Sequence, residues 1–242
     1  MAANTYRLGS VERASMTERV LREVRDAIVD GRIAQGEPLR EVSLAETLGT
    51  GRSSVREAVR QLVQEGLVEY QAHRGAFVRV LSLADRLDVY VAREAIETGA
   101  ARRILESNGR ADLSRLRAAL DKLKAAARDQ ERVTDAVIAA DIRFHQELVH
   151  LAGSPRLSRA QETLAAETRM LLGHHPPYPW TDYVSDHVRL LEAFERKDPR
   201  APDLVAEHLR LSSRLIAEEL SRESADARAD KQMQSEEESA SP

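Results

Sequence analysis

Asp141 and His145 stand four residues apart in the stretch AADIRFHQELVHLAG. At about 100° per residue, that spacing puts both on one face of a helix. Val137, Ile138, Phe144, Leu148 and Val149 form the apolar stripe of the same helix. Asp141 and His145 fall in the middle of it, while Arg143, Gln146, Glu147 and His150 take the opposite face, expected to be wet. An unpaired ionised carboxylate in a core is very costly, so Asp141 needs a partner. His187 lies among Tyr183, Val184, Leu190, Leu191 and Phe194, and His208 among Leu204, Val205, Leu211 and Leu215. Three helices therefore each turn a metal-competent side chain inward. One inward histidine is ordinarily a satisfied core residue, but three with an inward aspartate point to a metal ion. The chain has no cysteine, so the ligands would be imidazole and carboxylate. That donor set suits a divalent transition metal: zinc, or else nickel, manganese, iron or cobalt.

A second set of residues could meet nucleic acid. The stretch GTGRSSVREAVRQL carries Arg52, Arg56 and Arg60 at four-residue spacing. On a helical projection Val55, Ala58, Val59, Leu62 and Val63 form the buried stripe, and the three arginines flank it. A helix packed by one edge can offer that flank to a groove. Arg52 and Arg56, the early ones, are the candidates for bidentate contact with guanine. Arg60 is a candidate for a phosphate contact, or else pairs with Glu57 one turn away. Ser53 and Ser54, at the helix start, have hydroxyls and free backbone N–H groups that suit phosphate.

The elements that would hold these residues can be read from periodicity and punctuation. Residues 1–14 read as a flexible arm. Apolar positions from about Thr17 to Asp30 recur at helical spacing, AQGEPL reads as a turn, and a short helix is expected from about Ser43 to Leu48. The arginine helix follows, to about Glu65. Then LVEY, the turn QAHRG and AFVRV read as a two-stranded hairpin. Helix, helix, turn, helix and hairpin make a winged helix-turn-helix over 15–80. After a linker at 81–84 the pattern is helical to residue 221, with helices expected over about 85–106, 110–129, 132–152, 155–173, 182–197 and 202–221. The fold class is thus mainly α: a winged helix with a small β-hairpin wing, plus an antiparallel helical bundle over 85–221. Residues 222–242, ending QSEEESASP, read as a disordered acidic tail.

Composition sets limits. The 242 residues are comfortable for two domains. The net charge is only −4, so any basic surface for DNA must be local. The lack of cysteine excludes disulfides and thiolate chemistry and fits a cytoplasmic location. The amino terminus MAANTYRLGS does not read as a secretory signal, and no apolar run approaches the roughly 20 residues of a membrane span.

Residues 17–80 resemble the winged helix of the GntR family of bacterial transcription regulators, through LAETLGTGRSSVREAVRQLVQEGLVEYQAHRGAFV. The resemblance implies that Arg52 and Arg56 contact operator DNA and that the wing tip, His73-Arg74-Gly75, approaches the minor groove. At the tip, Gly75 supplies a turn conformation or a close approach that a side chain would hinder. The chain departs from the family pattern with Gly51 before the first arginine, where Ser is usual, and Ser54 before the valine, where Pro is usual. Residues 83–221 resemble the FCD effector domain of the FadR branch. The resemblance implies a metal site of Asp141, His145, His187 and His208. It leaves out His150, His174 and His175. It also implies that Arg93, in VAREAIETGAARRI, can hold an effector carboxylate; the competing reading is an intrahelical pair with Glu97. Ser154 stands where the family often has Asn.

The expected function is a DNA-binding transcriptional regulator, a repressor, working as a homodimer on a near-palindromic double-stranded operator. A small organic acid bound near the metal and Arg93 would modulate it. The alternative is a metal-dependent hydrolase fused to a DNA-binding module. Against it, no inward Glu is expected beside the site in the manner of a metalloprotease helix.

Overall fold

The computed structural model describes residues 15–107, 111–128, 134–172, 180–215, 217 and 218, side chains at 180–183 excepted. The expected arm at 1–14, the acidic tail at 222–242, His174, His175 and the Tyr183 side chain lie outside the described residues. The described residues divide into two compact units, one of Ser15–Ile28 with Ile33–Arg79, the other of Val29–Arg32 with those from Val80 onward.

In the first unit, α1 (Met16–Val29) buries Val20, Leu21, Val24, Ala27 and Ile28. Next come α2 (Glu41–Thr47) and α3 (Arg52–Gln64), which pack together. Arg25 reaches from α1 to Glu65 at the end of α3, 2.6 Å away. α3 sinks Val55, Ala58, Val59 and Leu62 completely. Val63, expected in that stripe, is only half-buried. β1 (Val68–Gln71) pairs antiparallel with β2 (Gly75–Val78), Tyr70 opposite Ala76. The hairpin turn is therefore tighter than QAHRG, because Gln71 and Gly75 belong to the strands. Residues 36–39, expected as a turn alone, also run along the free edge of β2: Leu39 N–H donates to Ala76 O and Val78 N–H to Glu37 O, each at 2.9 Å. These bonds satisfy backbone groups that a bare two-stranded ribbon would leave open.

The second unit is helical: α4 (Leu83–Glu106), α5 (Ser114–Ala127), α6 (Asp135–Leu151), α7 (Pro155–Leu172), α8 (Trp180–Glu195) and α9 (201–215). α4 starts at Leu83, earlier than expected, because Ser82 caps it: Ser82 Oγ accepts from Asp85 N–H, and the Asp85 carboxylate accepts from Ser82 N–H. Thr134 caps α6 with one bond, its hydroxyl accepting from Val137 N–H. α5 starts at Ser114, whose N–H and hydroxyl both bond Asp112. α6 packs against α4, α5 and α7, and α8 against α5. Phe144, Leu148, Leu120, Leu190, Val205 and Leu209 share one buried core, so α6, α8 and α9 meet there. Among the described residues no helix is long and apolar enough to cross a membrane.

Candidate metal centre and nucleic-acid interface

α6 carries Asp141 and His145 one turn apart; α8 brings His187 and α9 brings His208. All four are buried, and each offers a ligand atom within 4.8 Å of the others. His187 Nε2 is 2.9 Å from Asp141 Oδ1 and 3.3 Å from His145 Nε2, which is 3.5 Å from Asp141 Oδ1. Ligand atoms held about 2.0–2.2 Å from one ion lie about 2.9–3.5 Å apart at neighbouring positions. The three spacings among Asp141, His145 and His187 fall in that range. Asp141 Oδ1 is fully buried yet accepts no well-directed hydrogen bond, although His187 Nε2 is close. A buried carboxylate oxygen with no well-directed hydrogen bond, facing imidazole nitrogens, suits a shared cation. The residues therefore fit a metal ion. Phe144 stands edge-on to His187 and His145, with centroids 4.8 and 5.7 Å away, and walls the cluster on its apolar side.

Two features beside the cluster were not foreseen from the sequence. Glu97 on α4 is 0% exposed and sits at its edge. One oxygen meets His145 Nδ1 at 2.5 Å; the other accepts from Arg93 Nε at 2.9 Å and from Gln161 Nε2 at 3.1 Å. An inward Glu is thus present, contrary to expectation, but it lies on the Nδ1 side of His145, away from the converging atoms. Arg93, 2% exposed, does form the intrahelical pair with Glu97, and its guanidinium also lies 5.1 Å from the Tyr90 ring centroid. Glu147 is the second surprise. Expected on the wet face, it is 4% exposed and paired with Arg115 and Arg143, because α5 packs over that side of α6. Arg143 and His150 are exposed as expected. Leu211, expected inside, is 39% exposed. It borders an open cleft of about 310 Å³ between α8 and α9, which Asp186, Leu190, Leu204 and Arg214 also line and which reaches His208.

Electrostatics follow the geometry. Burial pushes the Glu97 carboxyl up, but His145 and Arg93 more than offset it and hold it at about 2. Burial likewise opposes ionisation of Asp141, and His145 and His187 bring it well below the usual carboxylate range. Burial pushes His145 down, yet Glu97 and Asp141 raise it to about 9. Burial wins at His208, only partly offset by Asp186, and lowers it to about 4.

At the other end of the chain, Arg52, Arg56 and Arg60 are all exposed on the outer flank of α3. They are not equivalent. Arg56 Nε bonds Glu41 at 3.1 Å, and Arg60 contacts Glu57 at 3.5 Å. Among the described residues Arg52 has no carboxylate partner. Gly51 stands at the N-cap and no side chain caps the helix; Ser53 is exposed and Ser54 half-buried. At the wing, His73 has φ +61° and Gly75 φ +98°. A Cβ at Gly75 would meet nothing within 4 Å, so within the chain the glycine serves conformation rather than close approach. Arg74 is tethered to Gln71 at 2.6 Å and lies over the Phe77 ring.

Residues 16–78 match the gntR family of bacterial regulatory proteins, and residues 88–211 match the FCD domain. A regulator of Paenarthrobacter nicotinovorans, named for repression of a D-xylose utilization operon, is 34% identical over 194 residues, 78% of this chain and 83% of its own length. An HTH-type transcriptional regulator of Mycobacterium gastri is 30% identical over 226 residues, 84% of this chain and 80% of its own. The solved structure of a GntR regulator from Rhodococcus sp. RHA1 has a TM-score of 0.72 at 28% identity, covering 83% of this chain and 97% of that one. Fold and relatives together define a DNA-binding regulator of transcription, not a hydrolase. The chain belongs to the gntR family of bacterial regulatory proteins, and its helical half is an FCD domain.

The pKa shifts predict a pH profile for the metal-free chain. His145, at about 9 in the fold against an ordinary 6.5, contributes stability that is full below pH 6.5 and lost as pH rises through 9. His208, at about 4 against 6.5, must stay neutral, so it costs stability as pH falls from 6.5 to 4. The thermal midpoint in chelator should therefore peak near pH 6.5. A midpoint that climbs steadily from pH 6.5 to 9 contradicts this electrostatic account.

Proposed function

We propose that the chain is an effector-controlled repressor. It binds a near-palindromic operator as a homodimer and senses a small carboxylate at a metal centre in its FCD domain. The observation that carries this reading is the convergence of Asp141, His145, His187 and His208 around a carboxylate oxygen with no well-directed proton. When bound, a divalent ion there would supply open coordination positions for an anion. Charge favours a monoanion such as a carboxylate. Arg93 and Glu97 cancel, and Asp141 offsets one of two charges on the ion. One positive charge is left in a buried site, and a monocarboxylate neutralises it. Arg93, whose Nε is committed to Glu97, would hold such a ligand through its Nη groups. Repression is inferred from the relative in Paenarthrobacter nicotinovorans, and the cytoplasm is its place of action.

At the operator, Arg52 and Arg56 read bases, Arg60, Ser53 and Ser54 meet phosphates, and His73, Arg74 and Gly75 approach the minor groove. Exposure of Arg52, unburdened by any carboxylate among the described residues, supports the first assignment. The surface of α4 supports pairing of two copies. Asp88, Val91, Ala95, Gly99 and Arg102 lie on one narrow outward stripe. Val91 is 65% exposed, and a Cβ at Gly99 would meet nothing within 4 Å. An antiparallel two-fold centred on Ala95 sets Val91 over the partner copy's glycine gap and Asp88 against its arginine, a self-complementary match of shape and charge.

Three experiments test these parts separately. Arg52→Ala should lower discrimination for operator over random DNA by about 10- to 100-fold, equivalent to about 1–3 kcal/mol, while general DNA affinity falls less; unchanged discrimination in binding titrations refutes the base contact. Asp141→Ala or His187→Ala should lose the ion by elemental analysis, along with the metal-dependent rise in thermal midpoint that small carboxylates give the wild type. Retention of the ion by both variants sinks the metal centre. Val91→Asp should turn a dimer into a monomer in sedimentation with helicity unchanged, and a surviving dimer removes α4 as the contact.

A further inference from the structure

Glu97 touches none of the atoms that converge on the cluster, yet it is wholly buried and makes three polar contacts. We propose that Glu97 is a positioning residue for the metal centre: it holds the proton of His145 on Nδ1, so that the Nε2 lone pair faces the ion. The inference rests on the metal reading above and goes beyond its four ligands.

The argument is one of tautomers. His145 Nε2 points into the cluster, 3.3 Å from His187 Nε2 and 3.5 Å from Asp141 Oδ1. A neutral imidazole carries its one proton on either nitrogen, and only the bare nitrogen can bind a metal. Glu97 meets Nδ1 at 2.5 Å and as a carboxylate can only accept, so the proton belongs on Nδ1. The ring is thereby fixed in both tautomer and rotation, and the carboxylate makes Nε2 more basic. Arg93 and Gln161 in turn hold the carboxylate, both donating to its other oxygen. Two donors on that oxygen keep it an acceptor, so the residue cannot present its other oxygen in reverse. Arg93 and His145 thus share one carboxylate, and a ligand that draws on Arg93 is felt at His145 through Glu97.

Glu97→Gln is a sharp test for the same reason. Its amide oxygen must stay where Arg93 and Gln161 donate. Its NH2 then faces His145 Nδ1 and makes that nitrogen an acceptor, which drives the proton onto Nε2. The full-length variant should bind zinc about 10- to 100-fold more weakly than wild type in chelator competition, and its cobalt-loaded form should show an altered visible ligand-field spectrum. Zinc affinity within threefold of wild type, with an unchanged cobalt spectrum, overturns the proposal. A second measurement needs no variant. Nitrogen-15 NMR of zinc-loaded wild type should show His145 protonated at Nδ1 and bound through Nε2, and ligation through Nδ1 overturns it. The two readings fail differently: wild-type protein that binds no zinc refutes the metal centre itself, whereas zinc bound with an indifferent Glu97 refutes only the positioning role.

Discussion

An ionised carboxylate inside a helix bundle must be compensated where it stands, because burial costs it far more than any single packing contact returns. Asp141 imposes that condition on the FCD half of this chain. It sits on α6, the helix that packs against α4, α5 and α7, so it cannot be turned to solvent without dismantling the core. Its compensation is drawn from α8 through His187 and from its own helix through His145, with His208 of α9 close by. Glu97 repeats the problem one shell out, and Arg93, Gln161 and His145 answer it.

This arrangement makes the polar centre an organiser of helices. α4, α6, α7, α8 and α9 each send one or more side chains to it. A change in what those side chains hold acts on several helices at once. That is the physical requirement for a sensor: the ligand must interact differently with two arrangements of packed elements. Phe144 contributes by rigidity, since its ring walls two of the histidines and leaves them little rotational freedom.

The DNA-binding half spreads its polar groups in the opposite way. Its core is apolar throughout α3, and the cations of that helix, Arg52, Arg56 and Arg60, are all exposed. The contact between Arg56 and Glu41 fixes Nε and leaves the two Nη groups at the end of the fork, a smaller entropy loss for whatever they meet. Tethering of Arg74 over Phe77 does the same at the wing.

Much of this was legible in the chain because period and punctuation are local properties. The helical stripes on α1, α3 and α6, the hairpin, and the inward bearing of Asp141, His145, His187 and His208 all follow from spacing, since a residue's angle on a helix is set by its neighbours in sequence. Which face of a helix is covered is not set that way. Glu147 reads as wet until α5 is seen to pack over it, and residues 36–39 read as a turn until β2 offers them an edge. Glu97 reads as a partner for Arg93, and it is one, but its contact with His145 spans separate helices and has no sequence period. Local spacing set the angle that each side chain takes on its own helix. Packing decided which of them are covered and which of them meet, because both depend on how the helices cross.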